Sequence, residues 1–141
     1  MTNVYFDASA LVPLFFDDEF SDRAKRLMAQ QVDVAHVSDW TIAESFSAIG
    51  RAVRMKLIGR EDLDDLCSTL DTWVSSVAHR VAIEPSDIRQ AESALRRFEF
   101  NLRTPDALHI VVASRLGLPL ATFDRNMAET ARGLGVEVID G

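Results

Sequence analysis

The chain has 141 residues, 48% hydrophobic and 26% charged, a balance that fits a packed globular protein and excludes a disordered tract. Fifteen basic residues against 22 acidic ones leave a formal charge of −7, which excludes a protein that coats nucleic acid through bulk positive charge but leaves room for a local basic rim. The opening "MTNVYFDASA" has no basic segment of the secretory type, no apolar run is long enough to span a bilayer, and the lone Cys67 excludes an internal disulfide. A cytoplasmic location without membrane contact is therefore expected.

In chain order, "NVYF" (3–6) reads as a strand that runs straight into Asp7. A short first helix is expected next, with Pro13 removing one of its early amides. "DVAHV" (33–37) reads as the second strand. Ser38 or Asp39 can then cap a helix whose apolar stripe is Ile42, Phe46, Ile49, Val53 and Leu57, with Gly59 expected to end it. Another helix is predicted from about Glu61 to Val77, where Cys67 joins Leu63, Leu66, Leu70 and Val74 in a packing stripe. "RVAI" (80–83) is the third strand, and Pro85 and Ser86 open a helix predicted to reach about Phe98. In "RTPDALHIVVASRLG", Thr104 suits the N-cap, Pro105 the first helical position and Asp106 the first turn, and Gly117 stops the helix. "LATF" (120–123) and "VEVI" (136–139) are the last strands, on either side of a helix over 125–132.

Strands separated by helices require crossover connections, hence a mainly parallel sheet of about five strands covered on both faces. The expectation is one α/β domain over 1–141, a three-layer α/β/α sandwich with a helical pair inserted after the second strand.

Four acids fall where such a sheet binds ligands, beyond the carboxyl ends of its strands. Asp7 follows the first strand and Asp124 the fourth, Glu44 lies in the helix after the second strand, and Asp106 sits in the first turn of the buried helix. Each also has a local reading. Asp7 suits an Asx turn, Asp124 and Asp106 suit helix starts, and Glu44, set between Ile42 and Phe46, points off the apolar stripe toward solvent. Together they repel one another unless a cation neutralises them, and hard oxygen donors suit magnesium or manganese beside a substrate phosphate. No GxSxG elbow offers a nucleophile, and His36, His79 and His109 lack metal spacing; His109 reads as a packed or hydrogen-bonded helix residue. The denser run "FFDDEFSD", with Asp17, Asp18, Glu19 and Asp22, follows the first helix rather than a strand end and reads as solvated surface.

Basic residues cluster in "RAVRMKLIGR" (51–60) and at Arg96, Arg97 and Arg103. Arg51 lies two turns from Glu44 on one helix face, and Arg103 flanks the "TPD" start, so both are candidates for holding substrate phosphates.

"DASALV" (7–12), "TIAESFSAIGR" (41–51), "LRTPDALHIVVA" (102–113) and "TFDRNMAETARGLGVEVI" (122–139) resemble, in order and spacing, the PIN-domain ribonucleases, and more narrowly the VapC-like toxins of toxin–antitoxin pairs. The resemblance implies a PIN-like fold and a Mg2+- or Mn2+-dependent endoribonuclease that hydrolyses RNA by metal-activated water. It places Asp7, Glu44, Asp106 and Asp124 at the family's catalytic acids, with Asp7, Asp106 and Asp124 as metal ligands and Ser9 and Thr122 in support. It further implies an RNA substrate, a cognate antitoxin whose tail enters the site, and a homodimer. The aromatic surplus of Phe15, Phe16, Phe20, Trp40 and Trp73 points the same way. Pro13 departs from the lysine often found there. Two other readings stay open: an aspartyl-phosphate phosphotransfer domain, although "DASAL" lacks a second aspartate two residues after Asp7, and a silent PIN-like binding scaffold.

Overall fold

A computed structural model describes residues 1–141. Five parallel strands form one sheet: β1 (Thr2–Phe6), β2 (Val32–Ser38), β3 (His79–Val81), β4 (Leu120–Ala121) and β5 (Val138–Ile139). Their order is β3-β2-β1-β4-β5. The chain therefore starts in the middle, builds outward on one side, then crosses back to build the other. The order reverses between β1 and β4, where a parallel sheet opens a crevice at its carboxyl edge.

Seven helices cover the two faces: α1 (Ala8–Leu11), α2 (Ser21–Gln31), α3 (Asp39–Arg54), α4 (Arg60–Ser76), α5 (Pro85–Leu95), α6 (Thr104–Leu116) and α7 (Arg125–Gly133), with a 3₁₀ turn at Val12–Leu14. The strand period of two divides the core. Val4 and Phe6 point to a larger cluster with Leu11, Leu27, Ile49 and Leu70, whereas Tyr5 points to the opposite face with Ile110, Val112, Leu120 and Met127. No helix is long and apolar enough to cross a membrane.

Several boundaries differ from expectation. Helix α2 has no strong sequence signature, because in "SDRAKRLMAQQ" only Ser21, Ala24 and Leu27 are buried. Helix α3 stops at Arg54, with Lys56 in the left-handed region, and Gly59 is the N-cap of α4 rather than the end of α3. Helix α5 ends at Leu95, three residues short of Phe98. Pro13 lies in the 3₁₀ turn rather than in α1, so it breaks no helical bond. At α6 the N-cap is Arg103, which makes no side-chain cap, and Thr104 is the first helical residue. Gly117 ends α6 as expected, at φ 65°, a conformation that glycine adopts without a Cβ penalty.

Phe15, Phe16, Phe20 and Trp73 pack against the larger core cluster. Phe15 meets Trp73 edge-on at 5.4 Å between ring centroids, and Phe20 stacks on Phe123 at 5.7 Å.

Candidate active site

Asp7 leaves β1 extended and caps α1. Its amide donates to the Ala121 carbonyl at 3.1 Å, which prolongs the β1–β4 ladder by one bond and pins the residue to the sheet edge. The carboxylate is 2% exposed and fully provided with donors. Thr122 Oγ1 donates to Oδ2 at 2.6 Å, Ser9 Oγ to Oδ1 at 2.8 Å, and the Ala10 amide to Oδ1 at 3.0 Å. Burial still pushes the Asp7 carboxyl above its ordinary range, with His109 and the hydroxyls of Thr122 and Ser9 pulling the other way.

The same small hydroxyls tie in Asp124. The Asp124 amide donates to Thr122 Oγ1 at 3.1 Å, and the Phe123 amide donates to Ser9 Oγ at 2.9 Å. Asp124 caps α7, its Oδ1 accepting from the Met127 amide at 2.9 Å, and leaves its other oxygen free of that cap.

Asp106 is half-buried in the first turn of α6. Its carboxyl is raised, first by burial and then by the negative charge of Asp124; Arg103 opposes this and Glu44 adds to it. Three acids, Asp106, Asp124 and Glu44, therefore feel one another near the crevice where the strand order reverses.

Glu44 departs from its local, solvent-facing reading. The buried line of α3 is Thr41, Ser45, Ile49 and Ala52, rotated from the bulkier stripe read in the sequence. Small hydroxyl residues fit there because they return their hydrogen bonds to nearby carbonyls: Ser45 Oγ to Thr41 O at 2.7 Å, and Thr41 Oγ1 to Phe6 O at 2.8 Å. That rotation turns Glu44 inward, against Nε2 of His109. His109 is 1% exposed, and its Nδ1 meets the Tyr5 hydroxyl at 2.8 Å. Ser38 is the N-cap that the sequence offers, whereas its bond to Tyr5 and the roles of Tyr5 and Thr41 were not anticipated; the one signal for them is a tyrosine in a buried strand, whose hydroxyl requires a partner.

A cleft of about 830 Å³ opens over this edge, its wall carrying Ser9, Glu44, Arg51, Phe123 and Asp124. Arg51 thus shares a surface with two of the acids, whereas Arg103 stands outside it, beside Asp106. Asp18 and Glu19 reach the outer wall of the cleft, and Asp18 has a local task, accepting from the Phe20 amide at 2.7 Å ahead of α2.

All four acids offer hard oxygen donors, and the Asp106 carboxyl, raised first by burial and then by the charges of Asp124 and Glu44, marks local negative charge that a divalent cation would relieve, so the donor chemistry fits magnesium or manganese. No group of three or more His, Cys, Asp or Glu side chains is arranged to hold a metal ion by itself.

Residues 4–133 match the family model of the PIN domain. The ribonuclease VapC46 of Mycobacterium tuberculosis (strain ATCC 25618 / H37Rv) is 32% identical over 142 residues, which span 99% of this chain and 98% of that protein. Two solved structures share the fold at lower identity. VapC20 of Mycobacterium tuberculosis, a sarcin-ricin loop cleaving toxin, superposes with a TM-score of 0.71 at 19% identity, over 90% of this chain and 94% of its own. VapBC2 of Rickettsia felis, bound to a DNA fragment from its promoter, gives a TM-score of 0.68 at 13% identity, over 99% and 98%.

Proposed function

This chain belongs to the PIN domain family, and we propose that within it the protein is an endoribonuclease, the toxin of a toxin–antitoxin pair, which depends on a magnesium- or manganese-type cation. The observation that supports this reading is the buried Asp7 carboxylate, held by Thr122, Ser9 and Ala10 at the strand-order reversal, with Asp124 joined to the same hydroxyls and Asp106 under the charges of Asp124 and Glu44. The likeness to VapC46 along nearly the whole chain supports the ribonuclease assignment, and the VapBC2 likeness supports an antitoxin partner.

Asp7, Asp106 and Asp124 are the residues proposed to hold the cation. When bound, it would neutralise the crowded carboxylates, acidify water and stabilise charge developing at phosphorus. Ser9 and Thr122 fix the Asp7 oxygens, so the carboxylate does not reorient as charge moves. Glu44 presents its oxygens to the cleft from the far side. Arg51 is proposed to bind a substrate phosphate along the cleft wall and Arg103 another beside Asp106; neither touches the reacting atoms. RNA is thus gripped at its backbone by cations on an otherwise acidic protein. Self-association belongs to the same reading: sedimentation should show a species heavier than 15.7 kDa, and a monomer alone at micromolar concentration contradicts it.

The test is cleavage of a structured RNA with exposed loops. The purified protein should cut it in magnesium, leaving 5′-phosphate and 3′-hydroxyl ends, and stop in excess chelator. Asp7→Asn and Asp106→Asn should remain folded and inactive. Undiminished cutting in chelator, or by either variant, refutes the proposal.

A further inference from the structure

One buried group has no part in the chemistry so far. His109 lies on α6 one turn beyond Asp106, and both ring nitrogens are engaged: Nε2 with Glu44 on α3, Nδ1 with Tyr5 on β1. The direction of every proton along this line follows from the partners. The Glu44 carboxylate only accepts, so Nε2 carries the hydrogen. In that tautomer Nδ1 accepts, and the Tyr5 hydroxyl donates to it at 2.8 Å. Tyr5 must then accept in turn, and two hydroxyls face it. Thr41 spends its single hydrogen on the Phe6 carbonyl, which leaves Ser38 Oγ, 2.8 Å from the Tyr5 oxygen, as the donor. Ser38 is itself locked, as its Oγ accepts from the Thr41 amide at 3.0 Å in the capping box of α3. With a neutral His109 the line Ser38–Tyr5–His109–Glu44 has a consistent set of donors, and it ends on a candidate catalytic acid.

The line also crosses the fold. It begins at the end of β2, passes through β1, enters α6 on one face of the sheet and returns to α3 on the other. Without it Glu44, whose side chain is about one-third exposed, would be free to swing toward solvent, away from acids that repel it.

We propose that His109 is a positioning residue for Glu44: its Nε2–H, oriented through Nδ1 by Tyr5 and Ser38, holds one oxygen of the Glu44 carboxylate and turns the other toward the cleft. This rests on the reading of Glu44 as part of an RNA-cutting site. A bond from an imidazole to a reactive carboxylate of this kind typically carries about 10–100-fold of activity.

Two amides separate positioning from packing. Glutamine at 109 places an N–H near the Nε2 position and asparagine places its amide near Nδ1, while both remove the ring equally. His109→Asn should lower kcat by about 10–100-fold with KM for RNA little changed, and His109→Gln should recover most of the loss. Equal activity of the two variants, or a worse His109→Gln, overturns the proposal. The second readout needs neither metal nor activity. In metal-free protein carrying ¹⁵N-histidine, long-range ¹H–¹⁵N spectra should place the proton on Nε2, protected from exchange, with its resonance moved by Glu44→Gln and the Nδ1 resonance moved by Tyr5→Phe. A proton on Nδ1, or an Nε2–H in free exchange with water, overturns it. A wild-type protein that cuts no RNA under any metal condition defeats the nuclease reading and removes the catalytic role with it. Cleavage by wild type together with the wrong tautomer defeats this proposal alone.

Discussion

Thr122→Val tests how the Asp7 pocket is built. Thr122 is fully buried, and its hydroxyl makes the shortest bond to the Asp7 carboxylate, 2.6 Å to Oδ2. Valine keeps the shape and removes the donor. Ser9 and Ala10 still serve Oδ1, so Oδ2 loses its best partner where water has little access. Hydrogen bonds to charged groups contribute about 1.5–3 kcal/mol, so a loss of about 2–3 kcal/mol is expected when Asp7 is ionised. At roughly 3 °C per kcal/mol for a chain of this size, Tm should fall by about 6–9 °C. The loss must also depend on pH. The folded Asp7 carboxyl lies above its ordinary value, so the stability linked to its proton is complete below the unfolded carboxyl range and is lost as pH rises through the folded pKa. Removing a hydroxyl that favours the ionised form raises the folded pKa further and deepens that decline. The gap between variant and wild type should therefore widen as pH rises from the unfolded carboxyl range through the folded pKa of Asp7, measured by calorimetric melts in chelator. In an Asp7→Asn background the same substitution should cost only about 1 kcal/mol, the contribution of a neutral hydrogen bond. A gap constant with pH, or equal in both backgrounds, refutes the reasoning.

Asp106→Asn should stabilise the metal-free protein at neutral pH and lose that advantage toward acid, because the raised Asp106 carboxyl opposes folding only where it is ionised; a destabilised variant in chelator melts contradicts this. Arg51→Ala and Arg103→Ala should each weaken RNA binding and reduce the slope of log K against log salt by about one; titrations at several salt concentrations that superpose on wild type eliminate the basic rim. Asp17→Asn and Asp18→Asn should leave cleavage rates at the wild-type level, since Asp18 caps the approach to α2 and asparagine can do the same. Loss of activity in either would move the site outward.

The end of the first strand was legible because its residues obey a simple rule. "NVYFD" runs directly from β1 into Asp7 as expected, whereas in "LATFD" the strand ends at Ala121, two residues earlier than read, and Asp124 stands at the start of α7, tied to Asp7 through Thr122. The orientation of Glu44 was not legible, because the line of α3 that packs deepest is Thr41, Ser45 and Ala52, and hydropathy favours Ile42, Phe46 and Val53. Small hydroxyl residues bury well when their hydrogen bonds return to the helix and the adjoining strand, a condition set by tertiary contact. Helix α2 escaped for a related reason: a few buried side chains in an otherwise charged segment leave little period to read. The partners of Tyr5 lie 33 and 104 residues away, a distance at which no local pattern speaks.

The central place of β1 has a consequence for how the protein comes to life. Asp7 and Thr122 bond across 115 residues of chain, and β4, which pairs with β1, follows β2 and β3 in the sequence. Synthesis proceeds from the N-terminus, so a nascent chain already holds Asp7 and Glu44 while residues 104–124 are still unmade. It then lacks Asp106, Asp124, His109 and the hydroxyl that steadies Asp7. Such non-local closure is slow relative to local helix formation. A protein proposed to destroy RNA thus has no complete acidic site until residues 104–124 have been made.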